Sequence, residues 1–168
     1  MSITPESAAT NPPLPRIGVE ILRHYLQDMS FENPHGPSLG ETLANAAITP
    51  ETTLGHRYLG HDDLYQVVIH VTVPARIGER TLFLLEMTYT AEVRLHNIPQ
   101  PVAQEILSVQ VPQSIFPMVQ QILVQATTAG GYPSVVLHDV DFRQTYLNAL
   151  AAGQIRQGPV GVPAYEKL

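Results

Sequence analysis

Two runs of alternating hydropathy, set back to back, limit what this chain can fold into. From Leu64 to Val73 an extended backbone puts Tyr65, Val67, Ile69, Val71 and Val73 on one side and Leu64, Gln66, Val68, His70 and Thr72 on the other. From Arg80 to Leu95 the same period puts Phe83, Leu85, Met87, Tyr89, Val93 and Leu95 on one side, against Leu84, Glu86, Thr88, Glu92 and Arg94. Ile77, Gly78 and Glu79 form a turn between them, so the runs pair as an antiparallel hairpin with one buried and one wet face.

The rest of the chain supplies cover for that buried face. Glu20 to Glu32 reads as a further strand, with Tyr25, Met29 and Phe31 on one face and Asp28, Ser30 and Glu32 on the other, stopped by Asn33 and Pro34. Pro34 to Gly60 is weakly patterned and reads as linker, including Ala44 to Gly60, which carries a proline. Ile106 to Val111 is a short apolar run that reads as a fourth strand. The period then becomes helical: Ile115, Val119, Ile122 and Ala126, with Phe116 and Leu123, make an apolar stripe, with Pro117 in the first turn and Gly130 and Gly131 as the stop. Tyr132 to Val140 reads as an extended crossing loop. A last helix follows Asp139 or Asp141 as N-cap, with Phe142, Tyr146, Ala149 and Leu150 inward. The expected class is α+β, a four-stranded antiparallel sheet with two helices on one face. One domain spans 16–152, between a Pro- and Ser-rich tail at 1–15 that cannot bury enough apolar surface to offset ordering and an expected flexible tail at 153–168.

Composition excludes several chemistries. The net charge of −6 repels phosphate backbones, so nucleic acid is not an expected partner. The chain has no cysteine, which removes disulfides, thiolate nucleophiles and cysteine-based metal sites. Its only lysine is Lys167, so a P-loop or Schiff base is out. No apolar run approaches the roughly 20 residues that a membrane helix needs, and residues 1–15 lack a basic start followed by an apolar stretch; a soluble, non-secreted chain without membrane insertion is expected.

The polar clusters read most simply as structural. His56, His61, Asp62 and Asp63 match no metal-ligand spacing and read as a solvated loop. His70 and His96 read as partly buried strand residues, since no serine stands in a nucleophile elbow. Asp139 and Asp141 suit helix capping better than paired acid–base chemistry.

Several segments resemble the SecB family of export chaperones: YLQDMSFENPHGP, the whole hairpin from LYQVVIHVTV to VRLHNIP, and VPQSIFPMVQQILVQATTAGGYPSVVLHDVDFRQTYLNAL. DMSFENP, IFP, GGYP and VDF occur in matching order and spacing. The family's Cys-Pro before the first helix reads Val111-Pro112, and its patterned strand before the hairpin is weak at Ala44 to Gly60. The resemblance implies a homotetramer, a dimer of dimers in the cytoplasm. It would hold unfolded precursor polypeptides for export without cofactor or catalysis and hand them to the SecA motor. It also implies that Asp28, Glu32, Leu84 and Glu86 dock that motor. Alternation independently puts these four on wet faces, as carboxylates around an exposed leucine. Tyr65, Tyr132, Phe142 and Tyr146 are core rings by default and candidates for lining the client groove. Three other readings stay open: a small-ligand-binding α+β domain, a hydrolase or isomerase using buried carboxylates and histidines, and a SecB-like chaperone dedicated to one client such as a toxin–antitoxin pair.

Overall fold

The computed structural model describes residues 17–37, 43–138 and 140–152. The expected tails, 1–15 and 153–168, lie outside the described residues. The hairpin forms as its alternation requires. β4 (Leu64–Ile77) pairs antiparallel with β5 (Arg80–His96) from Leu64↔Arg94 to Ile77↔Arg80, turning through Gly78 at a φ of +57°. Tyr65, Val67, Ile69, Val71 and Val73 meet Val93, Ala91, Tyr89, Met87 and Leu85 across the ladder, and all are buried.

β1 (Gly18–Glu32) adds to the free side of β5. Two irregularities interrupt its register, between Ile21 and Arg23 and between Leu26 and Asp28. The second leaves Gln27 unpaired in the ladder and turns over the residues from Arg23 to Leu26, and the first, at Leu22, restores the faces of Val19 and Ile21. Met29 and Phe31 therefore face the core, opposite Met87 and Leu85. Tyr25 lies opposite Thr90 on the other face, with the Arg23 guanidinium 5.6 Å from its ring centre. The expected grouping of Tyr25 with Met29 and Phe31 is corrected by that one extra residue.

The sheet has five strands, not four. β2 (Ala47–Ile48) and β3 (Glu51–Tyr58) both pair with β4, at Arg76 and Ala75 and along Thr72 to Tyr65. They are two pieces of one edge, broken at Pro50, which has no N–H to give. The inward residues of β3 are Thr52, Leu54, His56 and Tyr58, opposite Val71, Ile69, Val67 and Tyr65. Three of those four are polar or amphipathic, so hydropathy hardly alternates and the strand reads as linker.

The expected strand at Ile106 to Val111 is helical. α1 (Gln100–Glu105), a π-helical segment (Ile106–Gln110) and α2 (Val111–Ala129) follow one another with right-handed helical backbone at each junction. Ile106, Leu107, Ser108 and Val109 are all buried, because the wider π turn sends Ile106 and Leu107 to the sheet and Val109 to the last helix. A run buried on all sides carries no period, and periodicity alone cannot tell it from a strand. Pro117 consequently lies inside a helix rather than in a first turn, with its ring exposed.

After α2 the chain runs back along the helix as an extended strap. The Thr127 hydroxyl accepts from the Val135 N–H at 3.3 Å, and the Gln120 amide bonds Leu137 in both directions, at 3.0 and 2.6 Å. α3 (Phe142–Ala151) then starts on Asp141, whose carboxylate accepts from the Gln144 N–H at 2.9 Å. Asp141 is thus the N-cap; Asp139 lies outside the described residues.

The turn between α2 and the strap is closed by the end of β1. Asn33 Nδ2 donates to the Gly130 carbonyl at 3.1 Å, and the Tyr132 hydroxyl lies 3.0 Å from Asn33 Oδ1 and 3.2 Å from the Leu82 carbonyl. Phe31 and Tyr132 flank Phe83, with ring centres 5.4 and 5.0 Å away. A Cβ on Gly130 would sit 2.5 Å from the Phe31 ring, and one on Gly131, at a φ of +86°, would sit 2.7 Å from Pro37. The segments SFENP and GGYP hold each other.

Gly131→Ala should lower stability by about 1–2 kcal/mol in urea denaturation, because the left-handed backbone and the Pro37 contact both oppose a side chain. His56 offers a pH test. Burial holds its imidazole pKa below the usual value, so the native state prefers it neutral. Its contribution is whole above the unfolded pKa of about 6.5 and is lost as pH falls below that toward the lower folded value. His56→Gln should therefore flatten the fall in stability below about pH 6.5, measured as urea midpoints across pH.

Candidate functional site

The face of the sheet turned away from the helices carries the first candidate surface. Because the Gln27 irregularity lies before Asp28, the register from Asp28 to Glu32 is undisturbed: Asp28 lies opposite Thr88, Ser30 opposite Glu86 and Glu32 opposite Leu84. The four residues singled out in the sequence thus occupy neighbouring positions on one face of β1 and β5. Opposed side chains in such pairs stand about 5 Å apart, so Leu84 is bordered by Glu32 and, two residues along its own strand, by Glu86. Pro74 of β4 lies opposite Leu84 on its other side, which extends the apolar centre.

Charge is unevenly distributed over this face. Toward the other end each carboxylate has a cation. Arg23 grips Glu92 with two bonds of 2.8 and 2.6 Å, and Glu20 meets His96 at 3.2 Å and Arg94 at 4.0 Å. The Arg23 hydrogen bond holds the Glu92 carboxyl below its usual range, helped by Tyr25, and Glu92 in turn raises the Arg23 pKa. Among the described residues no cation forms an ion pair with Asp28, Glu32 or Glu86. Glu51 shares this face. It lies opposite Thr72, which itself lies opposite Glu86. Reading β3 as linker hid it; the inward file Thr52, Leu54, His56 and Tyr58 was the available signal.

The aromatic candidates lie on the helix side and are all buried: Tyr65 at 4%, Tyr132 at 5%, Phe142 at 2% and Tyr146 at 9% exposure. The structure brings two of them together. Phe142 and Tyr146 form a separate cluster with Val109, against Phe116, Leu54, Val140 and Leu150, and Phe142 meets Phe116 edge-on at 5.2 Å. Tyr65 packs against Tyr58 at 5.3 Å, and Tyr132 sits in the clasp at the far end of α2. Burial raises the phenol pKa of both Tyr65 and Tyr146, and in Tyr146 the Glu105 carboxylate adds to it. Arg143 on α3 pairs with that same Glu105 at 2.8 Å. Large apolar side chains are exposed instead at Val102 on α1, Val136 on the strap and Leu147 on α3. Sequence reading passed over all three, since one apolar residue on a polar face carries no signal.

The remaining polar groups have structural partners. His70 lies between Thr88 at 3.0 Å and Thr72 at 3.5 Å. Asp62 and Asp63 take left-handed backbone, at φ of 53° and 52°, in the turn before β4, which suits their short polar side chains. His61 meets Asp62 there at 3.2 Å, and among the described residues no three His, Asp or Glu side chains come together as metal ligands.

Two further surfaces are apolar or uncharged. On the core side of β1, Val19, Leu26 and Met29 stay about two-fifths exposed, and the outer edge of the strand pairs with no described strand. No Asp, Glu, Lys or Arg occurs between Glu105 and Asp139, so the outer side of α2 presents Gln113, Met118, Gln121 and Gln125 without one charge. Charge depletion of that kind marks the centre of protein interfaces rather than solvated helix faces.

Comparison with known proteins agrees with this architecture. The profile of the family described as Preprotein translocase subunit SecB matches residues 14–153. The chain is 32% identical over 152 residues to the protein-export protein SecB of Afipia carboxidovorans, covering 90% of this chain and 92% of that one. With the SecB of Rhodopseudomonas palustris it is 31% identical over 157 residues, covering 93% and 96%. Among solved structures, the SecB-like chaperone of Mycobacterium tuberculosis in complex with a ChAD peptide from the HigA1 antitoxin superposes with a TM-score of 0.61 at 9% identity, over 73% of this chain and 91% of that one. That last likeness is one of fold. The match along the sequence is one of descent: the chain belongs to the SecB family of protein-export chaperones.

Proposed function

We propose that this chain is an ATP-independent holding chaperone that keeps unfolded precursor polypeptides competent for export and delivers them to the SecA motor. It would work as a cytoplasmic homotetramer, a dimer of dimers, with no cofactor and no catalytic step. The observation that carries the delivery step is the face holding Asp28, Glu32, Leu84 and Glu86, where carboxylates without an ion-pair partner among the described residues surround a leucine backed by Pro74. A basic partner segment with an apolar side chain fits such a face, gaining on-rate from the charges and affinity from the leucine. An intact acidic face favours general export over service to one dedicated client.

Assembly is supported by the two surfaces that the single subunit leaves uncovered, the uncharged side of α2 and the apolar half of β1. Clients would be held on the helix side. Tyr65, Tyr132, Phe142 and Tyr146 form the backing of that groove, and the exposed Val102, Val136 and Leu147 provide first contact. Unfolded segments present apolar side chains in any order, so apolar surface without base, acid or pocket geometry binds them without reading sequence. Repeating the surface in each subunit raises the effective concentration of every next contact along one client.

Leu84→Arg should abolish SecA binding in a sedimentation assay while suppression of client aggregation survives. A buried leucine contributes roughly 1.5–3 kcal/mol and an uncompensated buried cation costs more. Equal loss of both activities would contradict separate surfaces. Met118→Asp should shift the solution mass by light scattering from tetramer toward a smaller species, because it puts a charge into the charge-free helix face. An unchanged mass would mean that this face is not the interface.

A further inference from the structure

The motor-docking face and the client side meet at one residue. Glu32 is the last residue of β1, and its two neighbours both bind the turn at which the strap begins. Phe31, pointing the opposite way, fills the space over Gly130 and stacks on Phe83, while Asn33 bonds the Gly130 carbonyl and the Tyr132 hydroxyl. Tyr132 in turn reaches the Leu82 carbonyl on β5, two residues before Leu84. A side chain that docks a partner and a ring that backs the client groove are thus joined through a single amide.

The packing at this point leaves no slack. Gly130 and Gly131 accept no Cβ without displacing Phe31 or Pro37, so a shift at the end of β1 moves the turn instead of being absorbed. The displacement has a defined route beyond it. The strap is pinned to α2 at Val135 by Thr127 and at Leu137 by Gln120, and it ends on the N-cap of α3, where Phe142 and Tyr146 sit.

We infer that Asn33 is a positioning residue that couples motor docking to client affinity, by transmitting a shift of β1 at Glu32 to the Gly130–Tyr132 turn and along the strap to α3. The inference rests on the docking and holding roles proposed above. It assigns Asn33 no contact with either partner. Coupling of this kind is reciprocal: if bound motor loosens the client, bound client loosens the motor by the same factor.

The test measures the affinity of a fluorescently labelled, permanently unfolded polypeptide for the full-length assembly with and without saturating SecA. In the unmodified chain SecA should weaken client binding by about tenfold, within the usual 5–150-fold range of allosteric coupling. Asn33→Ala should cut that ratio to about twofold or less, leaving each separate affinity within about twofold of the original. Gln120→Met, which frees the strap at its far pin while keeping the length of the side chain, should do the same and serves if Asn33→Ala does not fold. A readout without client accompanies these: amide exchange at Tyr132, whose N–H bonds the Thr127 carbonyl at 3.1 Å, should change on adding SecA to the unmodified chain and not to Asn33→Ala. Two variants that keep the original ratio would overturn the coupling while leaving docking and holding in place. An unmodified chain that binds SecA with no change in client affinity would overturn it equally. Failure to bind SecA at all would instead remove the docking role on which the inference stands.

Discussion

The register between β4 and β5 is the constraint on which the other elements depend. Across a period-two ladder, a slip of β5 by one residue would carry Leu85, Met87 and Val93 to the solvent side and bring Glu86 and Glu92 into the core beside Val67, Ile69 and Val71. Burying unpaired carboxylates costs far more than any alternative pairing returns, so the hairpin has one usable alignment. Everything else is placed from it. β1 reads its faces from β5, β3 reads its faces from β4, and the long helix lies on whichever side that alignment makes apolar.

That dependence explains which parts were legible beforehand. The hairpin and the wet position of Asp28, Glu32, Leu84 and Glu86 followed from alternation because no bulge interrupts Asp28 to Glu32. Tyr25 was misplaced by the extra residue at Gln27, which no local pattern announces. β3 was hidden by Pro50 and by an inward file in which Thr52, His56 and Tyr58 dilute the contrast with solvent-facing neighbours. Ile106 to Val109 was hidden for the opposite reason, being apolar and buried all round. The aromatic candidates are recognisable in the sequence as core rings by default, and all four are buried. Whether a ring faces a core or a groove is decided by elements far away in the chain, such as α3 against the π segment.

The sheet divides the molecule by chemistry. On one side, Arg23 and Arg94 face carboxylates at one end, while among the described residues no cation pairs with Asp28, Glu32 or Glu86 at the other, which leaves an acidic, leucine-centred area. On the other side, α2 carries no charge and β1 keeps apolar residues partly exposed. In the proposed assembly, further copies cover these uncharged surfaces and leave the acidic face outward. The proposed holding and handing over occupy opposite sides of one sheet, with Asn33 at the end of β1 bonded to the Gly130–Tyr132 turn.

The claim at the centre is that the assembly binds unfolded polypeptide through apolar surface alone, without chemistry. Its most direct measurement is the turbidity of a chemically unfolded, aggregation-prone protein diluted into buffer with and without an equimolar amount of the purified chain, in the absence of any nucleotide. Suppressed aggregation, reversed when SecA is added, is the expected result. Aggregation that proceeds unchanged, or that is suppressed only when ATP is supplied, would contradict it.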